Sequence, residues 1–161
     1  MKSNKKFKDI LDNINDKVTA ENLINLEMKN LEKLFNPNFK KIYDCIFFEN
    51  QKINLSIDEF NKLLKIHDDK TGFEASYNEV RINDYIENEI SVNESLLIVL
   101  LLIDIWGLKL KSLNPKSKFC FIVSCEPPYT TLRFHKVRSD EILWISEDLE
   151  KFDQPIGYTI V

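Results

Sequence analysis

The chain has 161 residues and a mass of 19.0 kDa, with 22 basic and 26 acidic side chains and a formal net charge of −4. That length suits one domain, 1–161, able to bury about 70% of its unfolded surface without help from disulfides or metals. At 43% hydrophobic and 30% charged residues it falls outside the disordered range.

Lysine outnumbers arginine 19 to 3 and alanine occurs only at Ala20 and Ala75. These are AT-rich codon choices, so the bias reads as source, an AT-rich bacterium, rather than function. Lys2, Lys5, Lys6 and Lys8 precede no apolar stretch, so no secretory signal is expected at the start. The longest apolar run, 96–103, is far short of the roughly 18–20 residues of a membrane span. Cys45, Cys120 and Cys125 are odd in number and lack CxxC spacing, which fits reduced thiols and a cytoplasmic protein.

In chain order, Phe7, Ile10, Leu11, Ile14 and Val18 lie on one helical face. Ile24, Met28, Leu31 and Phe35, widened by Leu23, Leu26 and Leu34, predict a second helix stopped by Asn36-Pro37-Asn38. Phe39, Ile42, Tyr43 and Ile46 suggest a third, although Ile46-Phe47-Phe48 fits a strand equally well. Ser56-Ile57-Asp58-Glu59 is a capping box opening a helix, and 67–72 reads as a turn. The segment 73–90 is ambiguous. Ser91-Val92-Asn93-Glu94 is a second capping box, opening a helix so apolar that it should be central, with Gly107 either ending it or lying inside it.

After Asn114-Pro115 the texture changes to strands. The segments 119–124, 130–137, 142–145 and 156–161 read as strands, with a short helical turn capped by Ser146 before the last. Short turns between them favour an antiparallel meander. The expected fold is α+β: a helical amino-terminal layer, about 1–114, packed on a carboxy-terminal antiparallel sheet, about 115–161.

Chemistry is scarce. Three isolated glycines exclude a phosphate-binding loop. His67 and His135 stand in no metal-ligand spacing, so no metal or cofactor is expected. A nucleophilic Cys125–His135 pair across neighbouring strands and a carboxylate pair are the only enzymatic alternatives. Arg133, Lys136 and Arg138 adjoin Asp140 and Glu141, which speaks against direct nucleic-acid binding.

Charge distribution says more. Asp140, Glu141, Glu147, Asp148, Glu150 and Asp153 stand against Lys151 alone, with Trp144 among them and Tyr129 nearby. Glu74, Glu79, Asp84, Glu87, Glu89 and Glu94 stand against Arg81 alone. Clustered acids beside an aromatic suit docking to a cationic partner.

Thr131-Leu132-Arg133-Phe134-His135-Lys136-Val137-Arg138, then 142–152 with Trp144 shortly before Ser146-Glu147-Asp148-Leu149, then Gln154-Pro155-Ile156, resembles the end of contact-dependent growth inhibition immunity proteins and related bacterial immunity proteins. The resemblance implies a small cytosolic, non-enzymatic protein. Such a protein binds and occludes the carboxy-terminal toxin domain of a delivered effector, commonly a basic nuclease. The toxin-binding residues expected are Asp140, Glu141, Glu147, Asp148, Glu150, Asp153 and Trp144, with Glu87, Glu89 and Glu94 second. The alternatives are another interaction adaptor or antitoxin-like regulator, or a small cysteine- or carboxylate-dependent enzyme.

Overall fold

In the computed structural model, which describes residues 1–17, 31–49, 53–87 and 89–161, the longest strands form a hairpin. These are β5, Lys118–Glu126, and β6, Tyr129–Val137, paired from Lys118↔Val137 to Glu126↔Tyr129. β5 is the middle of the sheet and both its faces are covered. Phe119, Phe121, Val123 and Cys125 enter the main core, and Cys120 and Ile122 a smaller outer one. That is why it reads as an unbroken apolar run while β6 alternates.

The final strand β7, Ile156–Ile160, pairs with β5 rather than β6. The short strands β1, Lys2–Ser3, and β4, Glu79–Arg81, form the edges, giving the antiparallel order β1-β7-β5-β6-β4. The expected meander is therefore corrected. The chain between β6 and β7 crosses the outer face of the sheet, burying Ile145 and Leu149 on Cys120, Ile122, Ile156 and Tyr158. A strand at 142–145 does not form: Ile145 is buried, but Ile142 is 84% exposed and Trp144 42%. The helical turn there is a 3-10 turn, Leu149–Lys151, preceded by Asp148 rather than capped by Ser146.

On the inner face lies α5, Val92–Leu113, with Leu96, Val99, Leu102, Trp106 and Leu110 buried against the sheet and its neighbours. Its capping box is complete, Ser91 accepting from the Glu94 amide and Glu94 from the Ser91 amide. Gly107 lies inside the helix, where Val161 packs so closely that an added Cβ would meet its Cγ2 at 3.1 Å. Helix α1, Lys5–Lys17, packs on α5 and β7 through Phe7. Helix α2, Leu31–Phe35, ends before Pro37 as expected, and its Leu34 carbonyl accepts from the Trp106 indole at 2.8 Å. Val18, Leu23, Ile24, Leu26 and Met28 lie outside the described residues.

The expected helix from Phe39 is a hairpin instead: β2, Phe39–Ile42, and β3, Cys45–Phe48. Tyr43 and Asp44 both take positive φ (45° and 71°), the requirement of a two-residue hairpin turn. β3 divides two cores. Ile46 and Phe48 face the sheet, while Cys45 and Phe47 face Phe60 and Phe73. Helix α3, Ile57–His67, begins at the Ser56–Glu59 capping box. Helix α4, Lys70–Tyr77, follows almost at once, so the expected turn at 67–72 shrinks to Asp68 and Asp69, the latter accepting from the Gly72 amide at 2.7 Å. The ambiguous 73–90 resolves into the end of α4, β4 and a 3-10 turn, Ile82–Tyr85. The fold is α+β, with β1 to β4 contributed by the part expected to be helical. No helix among the described residues is long and apolar enough to cross a membrane.

Candidate interaction surface

The loop leaving β6 is tied down at alternate points. Glu141, its side chain 13% exposed, accepts from the Thr71 amide at 2.8 Å and hydroxyl at 2.7 Å at the start of α4. Ile145 and Leu149 are buried under the sheet's outer face. Glu150 accepts from the Lys5 amide at 2.9 Å, a carboxylate at the positive end of α1. Buried Asn4 then closes the return. Its amide group donates to the Gln154 carbonyl at 2.9 Å, and its oxygen accepts from the amides of Phe7 and Ile156.

Between these anchors Asp140, Ile142, Trp144, Glu147 and Asp148 are exposed. Trp144 is held by Arg133, whose guanidinium lies 4.8 Å from the ring centroid and is paired in turn with Glu79 at 2.8 Å. A tethered loop displays two apolar side chains among three carboxylates, with little ordering left to lose on binding.

Behind it lies a charged cluster that sequence reasoning missed. Glu74 is fully buried and accepts from the amides of Ile46 (2.6 Å) and Lys136 (2.8 Å) and from Arg138 (2.9 Å). Burial pushes the Glu74 carboxyl up, and the Arg138 contact opposes it. Burial also works against the Arg138 charge, but Glu74 more than restores it. Arg138 further donates to the Asp44 carbonyl at 2.9 Å, and Lys136 reaches the Asp44 carboxylate at 2.9 Å, drawing that acid down to about 2. The cluster joins α4, the β2–β3 turn and the end of β6. A groove of about 520 Å³ beside it is lined by Lys116, Lys118, Lys136 and Arg138, but Asp44 and Glu74 already neutralise the last two.

The residues expected to bind therefore divide. Asp140, Glu147, Asp148 and Trp144 come together on the exposed loop. Glu141 and Glu150 are tethers, and Glu94 caps α5. Asp153 is exposed at the far end of the crossing, where its carbonyl takes the Lys6 ammonium at 2.6 Å. Glu87 and Glu89 are exposed ahead of α5. Ile142 and Arg133 were missed. Ile142 reads as a strand residue, and Arg133, Lys136 and Arg138 were read only as a small basic group beside Asp140 and Glu141, with no sign of the partners that Arg133 and Arg138 take from distant parts of the chain.

The Cys125–His135 pair does not assemble. Cys125 faces Thr130 across the hairpin within the main core, whereas His135 lies opposite Cys120. Burial pushes the Cys125 thiol up to about 11 and that of Cys120 up to about 12. Among the described residues no group of three or more His, Cys, Asp and Glu side chains could hold a metal.

The family model described as "Uncharacterized protein PM0498 family" matches residues 2–160. The chain belongs to this family. Its match runs from the first residue of β1 to the last of β7, so the family unit includes both sheet edges and all the helices between. "Uncharacterized protein PM0498" of Pasteurella multocida (strain Pm70) is 28% identical over 149 residues, covering 84% of this chain and 91% of its own length. No solved structure matches the chain.

Proposed function

We propose that this protein is a bacterial immunity protein that acts in the cytoplasm without catalysis. It neutralises the carboxy-terminal toxin domain of a contact-dependent inhibition or related effector by binding it one to one. The observation that carries the reading is the tethered loop, with Ile142 and Trp144 exposed among Asp140, Glu147 and Asp148. A nuclease toxin must be basic to hold phosphates. A surface of this composition can steer such a domain in and then seat it, the apolar pair supplying the desolvated centre and the acids the rim. The expected interface buries about 1,600 Å² in total. The resemblance of 131–156 to immunity proteins supports the same reading.

The test is a growth assay. The carboxy-terminal domain encoded by the gene immediately upstream is expressed with and without this protein. Killing by the domain alone, with growth restored by this chain, is the expected result. A domain that is harmless, or that kills regardless, overturns the proposal.

A further inference from the structure

Helix α5 is buried on most sides yet leaves one stripe open to solvent. Along it Leu101 is 48% exposed and Leu108 72%, with Asp104 and Lys111 exposed between and beyond them, and Leu113 56% exposed at the end. Residues three and four apart share a helix face, so 101, 104, 108 and 111 form one row. The outward row of a surface helix is ordinarily polar, and a leucine three-quarters exposed at its centre is out of place.

We propose that this row joins two copies of the chain in an isologous dimer, with the two α5 helices antiparallel and Leu108 on the two-fold axis. The charges select this arrangement. In an antiparallel pair centred on residue 108, Asp104, four positions before the centre, comes beside the second copy's Lys111, three positions after it. Symmetry makes that contact twice. Centring on residue 104, or pairing the helices in parallel, would set Asp104 against Asp104 instead. The apolar residues agree with the charges. Leu101 lies seven residues from Leu108, about 10.5 Å along the helix. It therefore reaches the far end of the second copy's α5, where a groove of about 290 Å³ opens between Pro37, Phe39, Lys109 and Leu113. The row lies on the opposite side of α5 from the sheet, and the 140–148 loop lies beyond the sheet's outer face. Dimerisation therefore leaves that loop open and stands independently of the toxin reading.

Sedimentation equilibrium on the full chain tests this. The expected mass is twice 19.0 kDa at about 100 μM, a concentration at which a stable dimer would be fully formed. Leu108→Asp, at an exposed position, should give the single-chain mass with an unchanged far-UV spectrum. Lys111→Asp should weaken the dimer about tenfold, and Asp104→Lys combined with Lys111→Asp should recover most of that loss. Leu108→Cys should crosslink two chains on mild oxidation, while the wild-type chain, whose thiols are all buried, should not. A wild-type mass of one chain overturns the proposal. So does a dimer that survives Leu108→Asp, which would have to use another surface, or a charge exchange that fails to rescue Lys111→Asp.

Discussion

Arg138 has more partners than any other cation among the described residues, and its geometry explains why an arginine stands there in a chain that otherwise uses lysine. Its guanidinium reaches Glu74, the carbonyls of Lys136 and Asp44, and the Cys45 sulfur. A lysine ammonium cannot span that fan of acceptors. Arg138→Met leaves Glu74 buried without its counter-charge and should cost about 3–5 kcal/mol in urea denaturation. Arg138→Lys should fall between Met and wild type. Two groups should shape the acid side of the stability curve. Buried His135 donates from Nδ1 to the Lys136 carbonyl, and its Nε2 has no hydrogen-bond partner among the described residues, so the fold favours the neutral ring. Burial lowers its pKa, whereas the unfolded chain takes up a proton near about 6.5. Protons then favour the unfolded chain, and stability should fall as pH drops below about 6.5; His135→Phe should remove that slope. Asp44 has the depressed pKa of a paired carboxylate. Its contribution is present above about pH 4 and lost as pH falls toward 2. Asp44→Asn, which tolerates the same positive φ, should flatten that last limb.

At the scale of the element, the helices begin where short polar side chains satisfy free backbone amides. Ser91 and Ser56 each accept from the amide three residues on, while Glu94 and Glu59 reach back. Ser91→Ala should cost about 1 kcal/mol, read as a lower Tm, and Ser56→Ala a similar amount. Helix α4 is constrained differently. A Cβ on Gly72 would overlap the His67 carbonyl oxygen, so α3 and α4 can follow so closely only because position 72 is glycine. Gly72→Ala should force the two helices apart and cost about 1–3 kcal/mol by the same thermal measurement.

At the scale of the whole molecule, the sheet separates two surfaces. The inner face is filled by α5 and an aromatic cluster in which Phe48 meets Trp106 at 5.0 Å and Phe134 at 5.4 Å. The outer face is covered by the crossing chain, which turns its remaining side chains to solvent. Charge reversal at Asp140, Glu147 and Asp148 together should leave Tm almost unchanged, because all three are exposed, away from the tethers at Glu141 and Glu150. If the proposed function holds, the same triple variant should weaken binding to the proposed toxin domain at least tenfold, most at low salt. Unchanged affinity, measured by calorimetry, would remove this loop from the interface. Glu141→Ala should behave oppositely, lowering stability by releasing the loop from Thr71.

Features whose partners lie within a turn or two of chain were determined by the sequence alone. The two capping boxes, the stop at Pro37, the β5–β6 hairpin and the central place of α5 each rest on neighbours a few residues apart. Tertiary structure decided the rest, because each remaining choice turned on a distant partner. Phe39–Phe48 alternates with apolar residues on both faces, and it became a hairpin because a second core around Phe60 and Phe73 waited on its far side. The 142–145 segment has strand residues, but β7 pairs with β5 and β4 with β6, and the segment crosses the outer face of the sheet instead, where Ile145 is buried. Glu74 looks like any acid in an acidic belt until Arg138, 64 positions later, turns it inward. The acidic loop was legible as charge, but only folding showed which carboxylates tie it down and which stay exposed. Composition counts charges, while the contacts that consume them are made by residues far apart in the chain.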